Sequence, residues 1–379
     1  MSAVLLAGCS SAGSSASGST IARADAPPGI RLVLEHRPAP LTETIQVFVC
    51  AVPFPTSDPL YGDLQLRLDL DPTTIAAQMQ RHVSLYYRAL SNGAYRPDFI
   101  AGETLSMTTE ETHDQCVEDA VDASSPEAAA VLVVANAENL ATGPGGWGRP
   151  GTPCAATFCS AASTRRAVYV GASDFHPDNG AVPLLDLIEH EIGHTLDLPH
   201  SGDTSAMYDS VLDVMSNSAA PRDVQPERKN AQDTIAVNRV ALGWIPDDDV
   251  AVAGPAGGTY MLSPSAGPAG RRVVFVPLGD LMFLTVEYLA GTGFDAFLPS
   301  GGIAVHRIDE SPTVCEMPVA GACVGIDRQQ LTVGSTPPHR DLLATAGASW
   351  TVEGWRITLV RAATASMDTV QVEVVPTDG

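Results

Sequence analysis

The pattern of apolar and polar positions divides the chain into a mixed α/β part and a later all-β part. In the first part, β-branched or continuously apolar runs predict core strands at residues 44–49, 128–135 and 167–171. The unbroken run at 128–135 is typical of a parallel strand that is buried on both faces. Apolar residues at helical spacing predict one long helix over 73–90. This mixture of elements indicates a first domain of α+β class.

Other segments of the first part give shorter patterns. Helices are predicted at 114–123 and 227–242, and strands at 31–35, 95–100 and 104–107. The loop GPGGWGRPG at 143–151 is too rich in glycine and proline for regular structure. Its Trp147 either lines a cleft or is a surface aromatic on that loop.

From residue 258 onwards the pattern changes to short alternating runs. These β-rich runs lie at 259–262, 272–277, 283–288, 302–308, 355–361 and 369–375. Turn residues separate them, which predicts an all-β, sandwich-like domain. We therefore expect a leader and flexible tether at 1–20, a mixed domain at 21–246 and a smaller β domain at 247–379.

Charge narrows the range of partners. The chain of 379 residues has 44 acidic and 21 basic side chains, a formal net charge of −23. Such a surface repels nucleic acid and anionic membranes. An acidic exported protein can bind calcium, but the sequence contains no EF-hand loop to support that interpretation. No stretch is long enough to span a bilayer as an internal helix.

The segment 182–200, VPLLDLIEHEIGHTLDLPH, carries the candidate chemistry. His190 and His194 are four residues apart, so a helix presents both imidazoles from one face. Two neutral imidazoles at this spacing can bind one zinc ion. Glu191 stands beside the first histidine and can take a proton from a water that zinc acidifies. The pattern therefore predicts a hydrolytic zinc site on a helix.

His200 completes the candidate ligand set only if the chain turns back after the helix. Pro199 disfavours helix at the preceding Leu198. Asp197 is one of the few residue types other than glycine that tolerates a left-handed conformation. The sequence thus predicts a sharp turn that returns His200 to the metal.

The run HEIGHTLDLPH resembles the long zinc signature of the metzincin peptidases, HExxHxxGxxH, with Asp197 where the family has glycine. The resemblance implies a zincin (metzincin-like) domain with a mixed sheet and an active-site helix. It also implies zinc ligands at His190, His194 and His200 and a general base at Glu191. Met215, in Asp-Val-Met-Ser, corresponds to the family's methionine turn, which is a packing floor and not a ligand.

Three further runs resemble segments of immune inhibitor A-like and gametolysin-like peptidases. They are YYRALSNGAYRPDFI, VNRVALGWIPDDDV and FLTVEYLAGTGFDAFLPSGGIAVHRIDE. Together with the zinc signature, this resemblance implies a zinc metalloendopeptidase that hydrolyses proteins or peptides outside the cytoplasm. Two other functions stay open: a non-catalytic surface-binding lipoprotein on the same scaffold, and a zinc hydrolase of a non-peptide bond.

Two residues near the zinc signature have alternative roles. Asp203 is a rival third ligand, although His200 stands at the expected position. Tyr208 can donate its hydroxyl to the oxyanion of a tetrahedral intermediate or can serve in packing, which we favour from sequence alone.

The seven cysteines indicate an exported protein. Leu6-Ala7-Gly8-Cys9 resembles a bacterial lipobox, which implies lipidation at Cys9 and a cell-surface or periplasmic location, with secretion as the alternative. The remaining cysteines are even in number: Cys50, Cys116, Cys154, Cys159, Cys315 and Cys323. Cys154–Cys159 and Cys315–Cys323 can form local loops, which leaves Cys50–Cys116. Six cysteines nevertheless allow 15 pairings, and the sequence does not choose among them.

Overall fold

A computed structural model describes most of the chain. The described residues are 18–35, 42–141, 145–150, 165–202, 208, 210–310, 317–319, 322–324, 329–332, 341–365 and 367–377. Within them, the structure is mixed: a five-stranded sheet with helices is followed by a curled all-β sheet. No helix in these ranges is long and apolar enough to cross a membrane.

Six α-helices lie within the described residues. They are α1 (Pro28–Glu35), α2 (Pro72–Arg81), α3 (Val83–Leu90), α4 (His113–Ala123), α5 (Asp186–Thr195) and α6 (Ala236–Ala241).

The strands of the first half are β1 (Gly18–Thr20), β2 (Thr42–Ala51), β3 (Leu66–Arg67), β4 (Arg96–Ser106), β5 (Ala128–Ala135), β6 (Ala137–Glu138), β7 (Gly146–Arg149) and β8 (Arg166–Val170). Those of the second half are β9 (Val250–Leu262), β10 (Val273–Pro277), β11 (Met282–Leu289), β12 (Gly302–Asp309), β13 (Met317–Val319), β14 (Ala322–Val324), β15 (Gln329–Thr332), β16 (Ser349–Val352), β17 (Trp355–Arg361) and β18 (Val370–Pro376).

The five-stranded sheet has the order β4-β2-β5-β8-β7. Its first four strands are parallel, and β7 is an antiparallel edge strand on β8. Side chains alternate across β2: Ile45 and Val47 pack with α2, α3 and α5, whereas Phe48 and Cys50 pack with α4. Helices therefore cover both faces of this sheet, as the unbroken apolar run of β5 predicted.

A disulfide joins Cys50 of β2 to Cys116 of α4. This pair confirms one of the three predicted bridges. Cys9, Cys154, Cys159 and Cys315 lie outside the described residues, so lipidation and the other two pairs stay predictions.

Several predicted elements differ from the structure. The helix predicted at 73–90 is two helices that meet at His82, and the two strands predicted at 95–107 are one strand, β4. The strand predicted at 31–35 is wrong because these residues belong to α1. So short an apolar run fits both the two-residue period of a strand and the 3.6-residue period of a helix. The buried Ile30, Val33 and Leu34 follow the helical period.

Two more predictions are wrong for reasons of tertiary contact. The loop predicted at 143–151 contains strand β7, whose glycines allow a close approach to α5. The helix predicted at 227–242 is reduced to the six residues of α6. The residues just before it have no regular secondary structure, and the backbone of Asp233 bonds to Val214 and Asp295.

The C-terminal strands form one nine-stranded sheet with the order β15-β12-β11-β10-β9-β18-β17-β16, and β1 also pairs with β9. The first residues of β9 pair in parallel with β10, and its last residues pair antiparallel with β18. The sheet therefore curls at β9, and its two halves enclose one apolar core. All six predicted β-runs lie in these strands, but they form a single curled sheet and not two separate sheets.

Residues 18–35 contact the C-terminal sheet, although the sequence-based division placed 21–246 in one domain. Strand β1 pairs with β9, and α1 packs against α6 and β11. Gly29 approaches Leu281 so closely that an added Cβ would lie 2.8 Å from its backbone. The beginning of the described chain is thus part of the C-terminal layer.

Candidate metal centre

Helix α5 carries the first two candidate ligands and lies under the edge of the five-stranded sheet. Ile188 and Ile192 face the main core. The helix begins at Asp186, three residues after Pro183. The carboxylate of Asp186 pairs with Arg222.

Asp174 lies close to this helix entry, and its Oδ2 is buried without a hydrogen-bond partner among the described residues. Burial, and then the nearby Asp186, raise the pKa of Asp174 to about 7, against a smaller lowering by Arg222. The folded chain thus keeps a proton that the unfolded chain releases above about pH 4.

We expect this proton to make stability fall as the pH rises. Between about pH 4 and pH 7 the unfolded state is increasingly favoured, and above pH 7 the full cost applies. Asp174→Asn should therefore gain stability over the parent chain across that window, by up to about 4 kcal/mol at pH 8. Urea unfolding in EDTA at pH 5 and pH 8 measures the difference. Asp178→Asn, at a side chain that is 90% exposed, is the control, and equal pH curves for all three proteins would contradict the expectation.

The three histidines of the signature lie together. Nε2 of His194 is 3.1 Å from Nε2 of His190 and 3.0 Å from Nε2 of His200. One ligand atom from each imidazole lies within 4.8 Å of the others, an arrangement that can hold a metal ion.

The turn after α5 returns His200 to the helix as the sequence predicted. Asp197 has a φ of 66°, the left-handed conformation. Its N–H donates to the carbonyl of His194 at 2.9 Å, and the N–H of Leu198 donates to Gly193 at 3.2 Å. These bonds end the helix and reverse the chain.

Backbone carbonyls fix the tautomers of two histidines. Nδ1 of His190 lies 2.6 Å from the carbonyl of Val214, and Nδ1 of His194 lies 2.8 Å from that of Leu198. A carbonyl only accepts hydrogen bonds, so both Nδ1 atoms carry the proton and both Nε2 atoms present lone pairs.

These imidazoles are neutral. Burial, and then the neighbouring His200, lower the pKa of His190 to about 4. Burial followed by His190 and His200 places the pKa of His194 well below its ordinary value. Lone pairs that face each other at about 3 Å repel, and a bound cation turns that repulsion into ligation. The donor set therefore fits a divalent metal ion.

Glu191 belongs to α5, and its side chain lies against β7. The residue is only 4% exposed. Burial raises the pKa of its carboxyl to about 8, against a smaller lowering by a hydrogen bond from the Gly148 N–H. An added Cβ at Gly148 would overlap the Glu191 carbonyl oxygen, and one at Gly146 would lie 3.1 Å from the Glu191 side chain. The two glycines are what allow the strand to pass this close to the helix.

Trp147 lies on the other face of β7. Its ring stacks on Tyr169 at 6.0 Å, and Arg149 lies over it at 5.7 Å. Alternation along the strand explains this, because Gly146 and Gly148 occupy the face toward the helix. Trp147 therefore lies on the face of β7 away from α5 and its histidines.

Met215 lies beneath α5 and is fully buried. Its sulfur occupies the space that a side chain at Gly193 would need. Its N–H donates to Oδ1 of Asp213 at 3.3 Å, and its carbonyl accepts from the Ser201 N–H at 2.9 Å. Met215 thus packs beneath α5 and connects the helix to the 213–216 turn. The contact requires glycine at position 193, where a side chain would meet the Met215 sulfur.

Asp213 anchors the 213–216 turn, a role that the sequence did not reveal. Its fully buried carboxylate accepts hydrogen bonds from Ser201 Oγ, Thr234 Oγ1 and Asn238 Nδ2. Burial raises the pKa of Asp213 in spite of these bonds.

Tyr208 is 54% exposed, so its side chain contributes little to a core. Its hydroxyl lies 3.2 Å from Nε2 of His200, and the two rings are 5.0 Å apart. The structure therefore places this hydroxyl beside the metal-facing atoms. Asp203, the rival ligand, lies outside the described residues.

No protein-family model matches this chain, and no curated protein matches it significantly. The fold and the site define a mixed α/β protein with a three-histidine site that can hold a metal ion.

Proposed function

We propose that this chain is a zinc-dependent endopeptidase of metzincin-like type. The observation that carries the proposal is the convergence of three histidine Nε2 atoms at a helix that also carries a buried glutamate. A parallel sheet with an antiparallel edge strand over the ligand-bearing helix is consistent with the zincin fold that the resemblance implies. His190, His194 and His200 would hold zinc, and three protein ligands leave a coordination position open, as catalytic zinc sites require.

When bound, zinc would acidify a water and polarise the scissile carbonyl. Residues of the chain carry out the proton transfers. Glu191 takes the proton of the attacking water and transfers it to the leaving amine. A cation nearby favours its carboxylate form against the burial that raises its pKa. The Gly148 N–H holds the carboxylate in place between strand and helix.

The Cys50–Cys116 bridge supports an exported protein, because such disulfides persist in oxidising compartments. Attachment to a membrane through a lipid at Cys9 is part of the proposal, and the partner is a protein or peptide substrate.

We expect Tyr208→Phe to reduce kcat by about 10²-fold, because the hydroxyl beside His200 can donate to the developing oxyanion. KM and zinc content should stay unchanged, which steady-state kinetics and metal analysis of the same preparation will show. A Tyr208→Phe variant with parent kcat would contradict the oxyanion role and leave the zinc site in place.

The test of the proposal is zinc content and casein hydrolysis on one disulfide-bonded preparation. Bound zinc with chelator-sensitive hydrolysis supports the endopeptidase. Bound zinc without hydrolysis of casein or a peptide library favours the non-catalytic binding lipoprotein. No zinc in a folded sample overturns the proposal.

A further inference from the structure

The segment 231–238, here called the strap, runs between the metal centre and the C-terminal sheet, and it has no regular secondary structure before α6 begins at Ala236. It was expected to be helical, but only its end enters α6. It is buried along its length, including the polar Gln232, Asp233 and Asn238. Buried polar groups must find partners, and the partners of the strap lie on both sides of it.

Toward the metal centre, the strap holds the residue that orients His190. The carbonyl of Asp233 accepts from the Val214 N–H at 2.9 Å. The carbonyl of that same Val214 lies 2.6 Å from Nδ1 of His190. Thr234 and Asn238 donate to the carboxylate of Asp213, one residue earlier. The position of Val214 therefore depends on the strap.

Toward the C-terminal sheet, two carboxyl groups hold the strap. Oδ1 of Asp295, in the turn between β11 and β12, accepts from the Asp233 N–H at 3.2 Å. Both carboxyl oxygens of Glu287, in β11, accept from the Ala236 N–H at 3.0 and 3.1 Å. Glu287 is fully buried and Asp295 is 3% exposed.

We propose that Asp295 and Glu287 are positioning residues of the metal centre. They fix the strap, the strap fixes Val214, and the Val214 carbonyl sets the tautomer and ring orientation of His190. Residues of the C-terminal sheet region thus determine the geometry of the candidate site. The inference rests on the zinc site of the proposed function, but not on the reaction performed there.

The surroundings of the two carboxyl groups favour this role over simple packing. Burying a carboxyl group is costly, and apolar side chains would fill the same space at lower cost. The turn that carries Asp295 also packs on the part of the chain that carries the metal centre: the ring of Phe294 lies 4.6 Å from that of Tyr86, and Arg228 donates to the Phe294 carbonyl at 2.6 Å. These contacts hold Asp295 close to the strap.

The test compares variants that remove each acceptor with variants that keep it. Asp295→Ala and Glu287→Ala remove the acceptors, whereas Asp295→Asn and Glu287→Gln retain a carbonyl oxygen of similar reach. Asp249→Asn is the matched control, because it breaks a partly buried ion pair with Arg272 elsewhere in the C-terminal half. Zinc affinity is measured by competition with a chromophoric chelator, and ligand geometry by the absorption of the cobalt(II)-loaded full chain.

We expect each alanine variant to bind zinc about 10-fold more weakly and to alter the cobalt(II) spectrum. The amide variants should recover parent affinity and spectrum, and Asp249→Asn should retain both even if it unfolds at lower temperature. A folded alanine variant with parent affinity overturns the inference, as does equal weakening in Asp249→Asn. Two positions are used so that the failure of one variant to fold leaves the other decisive.

The same samples separate this inference from the proposed function. A parent chain that binds zinc without hydrolysing any peptide overturns the endopeptidase, while the affinity ratios still decide the role of Asp295 and Glu287. A parent chain that binds no zinc overturns both.

Discussion

Glu191→Gln is expected to retain bound zinc and to lose about 10³-fold in kcat/KM for casein or a peptide. Glutamine has nearly the shape of glutamate and can still accept from the Gly148 N–H, so the three histidines should keep their positions. It cannot take a proton from the attacking water. Chelator-corrected peptide hydrolysis and zinc content of the same sample check both parts.

The control for this variant is Glu118→Gln. Glu118 pairs with Arg149 on the opposite face of β7, so its loss removes a carboxylate without touching the site. Its kcat/KM should equal that of the parent chain. Full activity in Glu191→Gln would remove the assigned general base, and loss of zinc would mean that Glu191 belongs to the ligand set.

Gly148→Ala is expected to destabilise the chain by about 3 kcal/mol and to lower activity by about 10²-fold. An added Cβ would overlap the carbonyl oxygen of Glu191 and lie 2.8 Å from Cβ of His194. Backbone atoms cannot move aside as a flexible side chain does, so either β7 or α5 must shift. A shift of α5 displaces the histidines and the glutamate together.

Gly279→Ala is the matched control, because an added Cβ there meets nothing within 4 Å. Denaturant unfolding and peptide hydrolysis of both variants separate a local clash from a general effect of glycine replacement. If Gly148→Ala unfolds and hydrolyses like Gly279→Ala, the close approach of β7 to the helix is wrong.

The positions of the three histidines could be predicted from the sequence because they depend only on local backbone geometry. A spacing of four residues fixes the shared face of His190 and His194, and Asp197 before Leu198-Pro199 signals the turn. The long apolar strands were readable for the same reason, since burial on both faces leaves an unbroken apolar run.

The parts that sequence did not reveal depend on distant contacts. The segment before α6 has a helical pattern, yet Asp233 and Thr234 find partners in other elements, and no helix forms there. Strand β7 has two glycines, which usually weaken a strand, because the neighbouring helix leaves no space for a side chain. The contact of Tyr208 with His200 follows from no periodicity in the sequence.

The pairing of β1 with β9 also has a consequence for the order in which the protein is made. Gly18 lies opposite Gly258, so the first described strand has no sheet to join until β9 has left the ribosome. Closing so long a loop is slow, and β11 and β12 follow later still. A nascent chain therefore gains the contacts of Glu287 and Asp295 with the strap only after both residues have left the ribosome.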